Sequence, residues 1–530
     1  MERKQKLLTL GSQTFSTIRE TGKTIYVDKT ELIEKIVNMG DSPKIFMSRP
    51  RRFGKSLLCS TFKSLFKGEK QYFKGLDIEN KWNWEEKFPV IHIMFGTGIV
   101  EDKQYLKRQL NEIINENIKK YSDIIVEGEN IGDKFKNLIM QLSEKFDQKV
   151  VIIIDEYDKP ILDKIHDIDV AVEIRDELKS FYSAIKSADE YLRFVFITGV
   201  SKFSQVSLFS GLNQLKDITF DSSYATLCGY TKKEIVDNYG AEGYLDGVDL
   251  EEMKKWYNGY NFNCKTEEEK VYNPFGILNF FGNNNEYGNY WFKSATPTFL
   301  INLLKKNDYP IINFEKIEVN EEIMNSFEIE KLDITTLMFQ TGYLTIKEKI
   351  LGFGGKYRYI LGIPNKEVRD SLNEYIVKDY FGFDDSRKKF EKINLLDKYL
   401  GSGNVEGFIE VIKSIFSGIP YSNYTKNSIN KYEGFYSSVI YSFLAGTGVD
   451  FTMEDITSYG RIDFTLKYKD FIYITELKVE KSGEEAFKQI KSKKYEEKYL
   501  SENKTIFLIG INFSEELKNV ENYDFEEIKK

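Results

Sequence analysis

Phe46-Met47-Ser48-Arg49-Pro50-Arg51-Arg52-Phe53-Gly54-Lys55-Ser56, read with Val150-Val151-Ile152-Ile153-Ile154-Asp155-Glu156, decides how this chain folds. The first stretch runs from an apolar strand through a basic loop to Gly-Lys-Ser at the head of a helix. The second is an aliphatic strand that delivers two acids at its end. A loop at a helix N-terminus aims backbone N–H groups and the positive end of the helix dipole at an anion. Gly54 lets that backbone approach a phosphate, Lys55 reaches the β- and γ-phosphates, and the Ser56 hydroxyl ligates Mg²⁺. Asp155 is expected to hold the same ion, and Glu156 to orient or deprotonate the attacking water. The pair of motifs therefore predicts a site for ATP and Mg²⁺.

One position departs from the usual Gly-x-x-x-x-Gly-Lys-Ser/Thr spacing. Arg49 stands where the first glycine belongs, and Pro50, Arg51 and Arg52 follow. Three readings fit these residues: a basic surface turn, a nucleotide site that no longer hydrolyses, or a working variant in which arginines such as Arg52 replace part of the backbone cradle.

Outward from this site, the strands expected near 44–47, 90–95, 150–154 and 194–198 alternate with helical stretches over residues 1–225. That order implies an α/β domain with a parallel sheet and its site at the strand C-termini. Arg193-Phe194-Val195-Phe196-Ile197-Thr198-Gly199 is expected to lie between the loop strand and the acidic strand, placing Thr198, or Ser201 beyond it, to touch the γ-phosphate or the water. Residues 226–310 read as helical, opened by the N-capped Gly229-Tyr230-Thr231-Lys232-Lys233-Glu234. Trp256-Tyr257-Asn258-Gly259-Tyr260 and Tyr272-Asn273-Pro274-Phe275 are aromatic turns whose ordinary role is packing. A hairpin-like pair, 342–346 and 357–361, completes a winged-helix-like region over 226–385, and a helical connector is expected over 386–425. Arg175 and Arg193 are the arginines considered as a finger on a neighbour's nucleotide.

With 530 residues, two to four domains are expected; 41% hydrophobic and 30% charged residues suit a soluble globular chain. No run matches a membrane span or a signal peptide, which predicts a cytoplasmic protein. Cys59, Cys228 and Cys264 are too scattered for a disulfide framework or a Cys-x-x-Cys metal site. His92 and His166 are the only histidines, and His92 sits in an apolar strand, so zinc sites and Ser-His-Asp triads are disfavoured. The net charge of −8 gives no global basic footprint, while leaving room for a local one.

A second constellation lies over residues 426–530. Gly460-Arg461-Ile462-Asp463-Phe464 reads as a strand ending at Asp463, followed by a turn and by Phe471-Ile472-Tyr473-Ile474-Thr475-Glu476-Leu477-Lys478. Strand alternation places Glu476 and Lys478 on one face. With Glu433 from the helix opened at Tyr432, Asp463 and Glu476 would cage one or two Mg²⁺ ions, with Mn²⁺ as an alternative. These activate water against a phosphodiester, and Lys478 stabilises charge. Ala486-Phe487-Lys488-Gln489-Ile490 and Tyr495 are expected on a basic helix that meets backbone phosphates.

Tyr26 to Thr30 (Tyr-Val-Asp-Lys-Thr), Arg49 to Ser56 (Arg-Pro-Arg-Arg-Phe-Gly-Lys-Ser) and Asp155 to Pro160 (Asp-Glu-Tyr-Asp-Lys-Pro) resemble the bacterial AAA-ATPase-like proteins. The C-terminal part resembles the PD-(D/E)XK nuclease domain that accompanies that ATPase domain. In that family the arginine-rich loop is usual. The resemblance implies an ATP site at Lys55, Ser56, Asp155 and Glu156, and a nuclease site at Asp463, Glu476 and Lys478. It implies nucleic acid as partner, DNA ahead of RNA, and an association with defence or mobile elements. A nucleotide-dependent switch with a non-cutting C-terminal domain is the competing function. A translocase is the third reading; with one P-loop per chain it needs a homo-oligomer.

Overall fold

The computed structural model describes residues 5–528 apart from 96–97, 122–123, 203–204, 210–211, 213, 265–269, 292–313, 315, 326–328, 330–332, 376–385, 420–432, 446–448 and 458–459. Parts of two expected regions, the helical stretch to 310 and the connector to 425, fall outside the described residues. The chain forms two compact units, one from residues 1–299 with 316–367, the other from 300–315 with 368–530.

The first unit is built on a five-stranded parallel sheet of β1 (Lys44–Ser48), β2 (Val90–Met94), β3 (Val150–Asp155), β4 (Leu192–Gly199) and β5 (Leu215–Asp217), in the order β2-β3-β4-β1-β5. Every residue of β1 and β3 is buried, because helices such as Lys55–Phe66, Ile131–Phe146 and Ile168–Ser187 connect the strands and pack on the sheet. Strands covered on both faces must be apolar throughout, which is why Val-Val-Ile-Ile-Ile is continuous rather than alternating. As expected, β4 lies between β1 and β3, so Ser48, Asp155 and Thr198 end three neighbouring strands.

The helices Lys232–Asn238, Leu250–Tyr257 and Pro274–Gly282 form a satellite core around Ile235, Tyr239, Tyr257, Tyr272, Ile277 and Phe280. The first has the capping box its sequence announced, Thr231 with Glu234. Ile25 and Val27 of the N-terminal segment enter the same core, and Lys29 pairs with Glu234 at 2.6 Å and donates to the Thr226 carbonyl at 2.7 Å. Trp256 and Tyr257 end a helix, and Tyr257 is fully buried.

The winged-helix-like expectation is met in element order. The helix Ile334–Thr341 precedes the hairpin of β7 (Thr345–Leu351) and β8 (Tyr357–Gly362), and β6 (Ile317–Asn320) pairs with the other side of β8. All eight residues of that helix are buried, so it belongs to the core and has no face for reading a groove.

The second unit carries a mixed sheet in the order β13-β12-β11-β10-β9, from β9 (Asp450–Thr457), β10 (Gly460–Tyr468), β11 (Phe471–Val479), β12 (Thr505–Ser514) and β13 (Asn519–Ile528). Only β11 and β12 run parallel, joined by the helix Gly483–Ser492. The helices Ser386–Leu400 and Val405–Ser417, expected as a connector, dock on this sheet. The Tyr473 hydroxyl donates to the Leu400 carbonyl at 2.6 Å, and Phe416 packs on Phe513. Asp463 is not a strand end: β10 continues to Tyr468 because Phe464 and Leu466 keep alternating into the core.

Glu367 is a buried carboxylate in the first unit. One oxygen accepts the Trp291 amide at 2.6 Å, and the other is buried without a partner. Burial raises its pKa from 4.5 to about 8, against the pull of the Trp291 and Tyr290 amides. The folded chain therefore keeps a proton that the unfolded chain has released. Its contribution to stability is full below about pH 4.5 and is lost as pH rises to about 8. Glu367→Gln keeps the acceptor and removes the titration. Chemical unfolding of that variant should show a flatter stability profile between about pH 5 and about pH 8 than the parent.

Candidate functional site

The loop of residues 49–54 joins β1 to the helix that starts at Lys55. Gly54 caps this helix at φ 90°, a left-handed conformation that glycine adopts freely. Arg52, at φ 64°, holds the same region at a cost. Lys55 is 6% exposed, and its ammonium donates to the carbonyls of Arg49 and Pro50, at 2.9 Å each. Burial lowers its pKa, with Asp155, Glu156 and Asp158 opposing. The ammonium thus rests on the loop's own carbonyls.

The three arginines part ways. Arg49 is 1% exposed and does not face the loop's concave side. Its guanidinium donates to the carbonyls of Ser48 (2.9 Å), Thr219 (2.7 Å) and Tyr224 (3.2 Å) and lies 4.2 Å from the Phe262 ring centre. The expectation that arginines rebuild the cradle fails at this residue, whose two terminal nitrogens donate to backbone carbonyls while its Nε is buried without a partner. Arg51 and Arg52 are exposed and line a cleft of about 550 Å³ with Gly54, Lys55, Ser56 and Glu156. The Arg51 carbonyl accepts the Trp291 indole N–H at 2.9 Å, and the Arg52 guanidinium stands 5.1 Å from the Phe275 ring centre. The far wall comes from Tyr26 and Val27 on one side and from Tyr230, Pro274, Phe275 and Leu278 on the other. The aromatic turn read as packing therefore also walls the cleft.

Beneath the loop, Asp155 and Thr198 are fully buried. Neither carboxylate oxygen of Asp155 has a hydrogen bond of sound geometry, nor does the Thr198 hydroxyl. Burial raises the Asp155 pKa; the nearby Ser56 hydroxyl and then Lys55 oppose it. A hard cation that takes carboxylate and hydroxyl oxygens fits this donor set. Ser201 is not available beside Thr198: its amide and hydroxyl donate to Asp158 at 2.8 and 2.9 Å. Asp158, which the sequence did not single out, also accepts the Val200 amide and so ties the end of β4 to the turn after β3. Its only signal was its place in Asp-Glu-Tyr-Asp-Lys-Pro. Arg175 pairs with Asp176. Arg193 lies near the start of β4, at the edge opposite the loop, against Phe66 and Phe88.

In the second unit Asp463 and Glu476 meet on β10 and β11. Phe464 pairs with Thr475, and one Asp463 oxygen accepts the Leu477 amide at 2.7 Å. Glu476 is 2% exposed; one oxygen accepts from Gln489 and lies 3.5 Å from the Lys478 ammonium, and the other is buried without a partner. Its pKa is pushed up to about 8 by burial and then by Asp463, with Lys478 opposing. Two carboxylates sharing a poorly solvated space, one oxygen unsatisfied, fit a divalent cation. Glu433 opens the helix Glu433–Ala445, but its side chain lies outside the described residues, and among those described no third acidic, histidine or cysteine side chain joins the pair.

Gln489 and Tyr495 do not face phosphates. Gln489 turns inward to Glu476, and Tyr495 is 2% exposed and donates to the Arg461 carbonyl at 2.9 Å. The helix is not basic either, since Lys488 and Lys491 pair with Glu484 and Glu526.

The family described as predicted AAA-ATPase matches residues 9–209, and the PD-(D/E)XK nuclease superfamily matches residues 431–523. A protein of Azotobacter chroococcum mcd 1, described as "Uncharacterized protein in vnfD 5'region", is 39% identical over 526 residues, covering 99% of both chains. The chain belongs to this family of predicted AAA-ATPases with a C-terminal PD-(D/E)XK domain. Both matches fall on the site geometry: residues 9–209 contain the loop, Asp155 and Thr198, and residues 431–523 contain Asp463, Glu476, Lys478 and Gln489. No helix among the described residues is long and apolar enough to cross a membrane.

The unsatisfied Asp155 carboxylate makes a prediction with two signs. Asp155→Asn removes a desolvated charge and should raise the thermal midpoint of the nucleotide-free protein. Mg²⁺ and ATP together should raise the midpoint of the parent, and the substitution should abolish that rise. Differential scanning calorimetry with and without the two ligands measures both.

Proposed function

We propose that this protein binds and hydrolyses ATP with Mg²⁺ in its first unit, and that ATP controls a Mg²⁺- or Mn²⁺-dependent cleavage of DNA phosphodiesters by its C-terminal domain. In this reading residues 1–225 are the ATPase domain, 226–385 its lid and winged-helix-like region, and 426–530 the nuclease domain.

In the ATPase, Gly54 and the head of the following helix offer N–H groups to the phosphates, and Lys55 exchanges the Arg49 and Pro50 carbonyls for phosphate oxygens. Arg52, at the cleft mouth, adds charge. Ser56 and Asp155 would hold Mg²⁺, which supplies charge neutralisation at the phosphates. Glu156 lines the cleft and would orient the water, and the Thr198 hydroxyl, buried beneath the loop, would sense the γ-phosphate.

In the nuclease, Asp463 and Glu476 would hold the metal, with Glu433 a further candidate. The metal supplies an activated water and a Lewis acid. Lys478, 3.5 Å from Glu476, would stabilise the developing negative charge. Gln489 fixes one Glu476 oxygen and so aims the other. The observation that carries this reading is that unpartnered Glu476 oxygen, buried beside Asp463 in a domain of the PD-(D/E)XK superfamily.

The test is cleavage of single- and double-stranded DNA and of RNA with Mg²⁺ or Mn²⁺, with and without ATP. Asp463→Ala and Glu476→Ala should each lower cleavage by about 10³-fold or more while leaving ATP hydrolysis intact, and Lys55→Ala should abolish ATP binding and the ATP dependence of cutting. Parent protein that cuts none of these substrates under any of the conditions would sink the nuclease reading. Nucleotide-dependent assembly on DNA without scission would install the switch in its place.

A further inference from the structure

The ATPase and nuclease sites leave one constellation unused. Lys347, Lys349, Lys356 and Arg358 are set against a single Glu348 on the β7–β8 hairpin, in a chain whose net charge is −8. The helix before the hairpin is wholly buried, whereas the distal half of the hairpin is exposed. Register pairs Lys349 with Tyr359, Ile350 with Arg358 and Leu351 with Tyr357. Lys349, Leu351 and Tyr357 therefore share one face, with Arg358 on the other. The Lys349 ammonium lies 3.8 Å from the Tyr357 ring centre. Leu351 is 67% exposed and Tyr357 37%, an unusual surface for an apolar and an aromatic side chain side by side. The turn passes through Gly354 and Gly355 at φ 72° and 76°, and nothing lies within 4 Å of where their side chains would be. β8 lies between β6 and β7, so among the described residues β7 is an edge strand. Glu318 of β6 pairs with Arg358, and alternation puts Lys356 on Arg358's face, opposite Lys349, so the two lysines flank the hairpin tip from its two faces.

We propose that the distal part of this hairpin, Lys349 to Arg358, is a nucleic-acid contact, with Lys349 and Lys356 meeting backbone phosphates and Leu351 and Tyr357 meeting a base or a sugar edge. A two-stranded ribbon is narrow enough for a major groove, and cations interleaved with exposed aromatic and apolar groups bind single strands by charge and stacking. The buried helix assigns the role to the hairpin alone, unlike a winged helix that reads a groove with its helix. The inference rests on the reading of this protein as acting on DNA, and it supplies a contact outside the cutting domain.

The experiment is fluorescence anisotropy of labelled single- and double-stranded DNA with full-length protein in EDTA, across a salt series, for the parent, Lys349→Glu/Lys356→Glu and the milder Lys356→Gln. Removing one lysine–phosphate pairing lowers the slope of log affinity against log salt by about 0.9. The double variant should therefore lose ~1.8 of that slope and bind about tenfold or more weakly near 0.1 M salt, and Lys356→Gln should lose about half as much slope. ATP binding, measured in parallel, should not change, which shows that the variants fold. Unchanged affinity and slope in both variants overturns the inference while leaving the nuclease reading standing if the parent still cuts DNA. A parent that neither binds nor cuts overturns both. Loss of binding to polyglutamate without loss of binding to DNA also overturns it, in favour of an acidic protein partner.

Discussion

The structure of the first unit turns on a dry pocket of charge at the end of a parallel sheet. Lys55, Asp155 and Thr198 are all buried there, and the two acceptor-rich groups lack good hydrogen bonds. Burying such groups is costly unless something completes them. The rest of the unit holds the pocket in place. The strands that end there are apolar on both faces, so their ends cannot drift. Asp158 ties two of those ends together, and Trp291 clamps the Arg51 carbonyl from the helical region. These contacts fix the backbone around the buried groups, so the positions of Lys55, Asp155 and Thr198 are set by the fold.

The second unit repeats the same physics on a different scaffold. A buried Glu476 with one fixed and one unsatisfied oxygen sits beside Asp463, and burial, then Asp463, raises its pKa. In both units the acid comes from a strand; in the second, the Leu477 amide and the Gln489 side chain steady Asp463 and Glu476. Neither constellation needs a histidine or a thiol, in keeping with a chain that has two histidines and three buried, free cysteines.

Much of this was legible in the residues because short-range physics encodes it. The aliphatic run of β3, the Gly-Lys-Ser helix start and the Thr231–Glu234 cap are local patterns with one stable outcome. The place of β4 between β1 and β3 followed from the layout common to such sheets. What was not legible depended on contacts made far along the chain. Arg49 read as a cradle residue because nothing nearby shows that the carbonyls of Thr219 and Tyr224 lie within its reach. Gln489 read as surface because its partner is thirteen residues away on another strand. Asp463 read as a strand end because a charge in an apolar run looks like a boundary, whereas here the neighbouring amide of Leu477 satisfies it inside the sheet.

Arg49 also changes what sequence comparison can say about loops of this kind. In the usual spacing the first glycine is valued for what its backbone permits. Here the same position is valued for what a long side chain fastens: the end of β1 to the segment after β5 and to the Phe262 ring. The demand has passed from conformational freedom to tethering. A match to the glycine pattern is thus a poor measure of competence at this position, and restoring the glycine would loosen the loop by freeing three carbonyls and leaving a guanidinium-sized void.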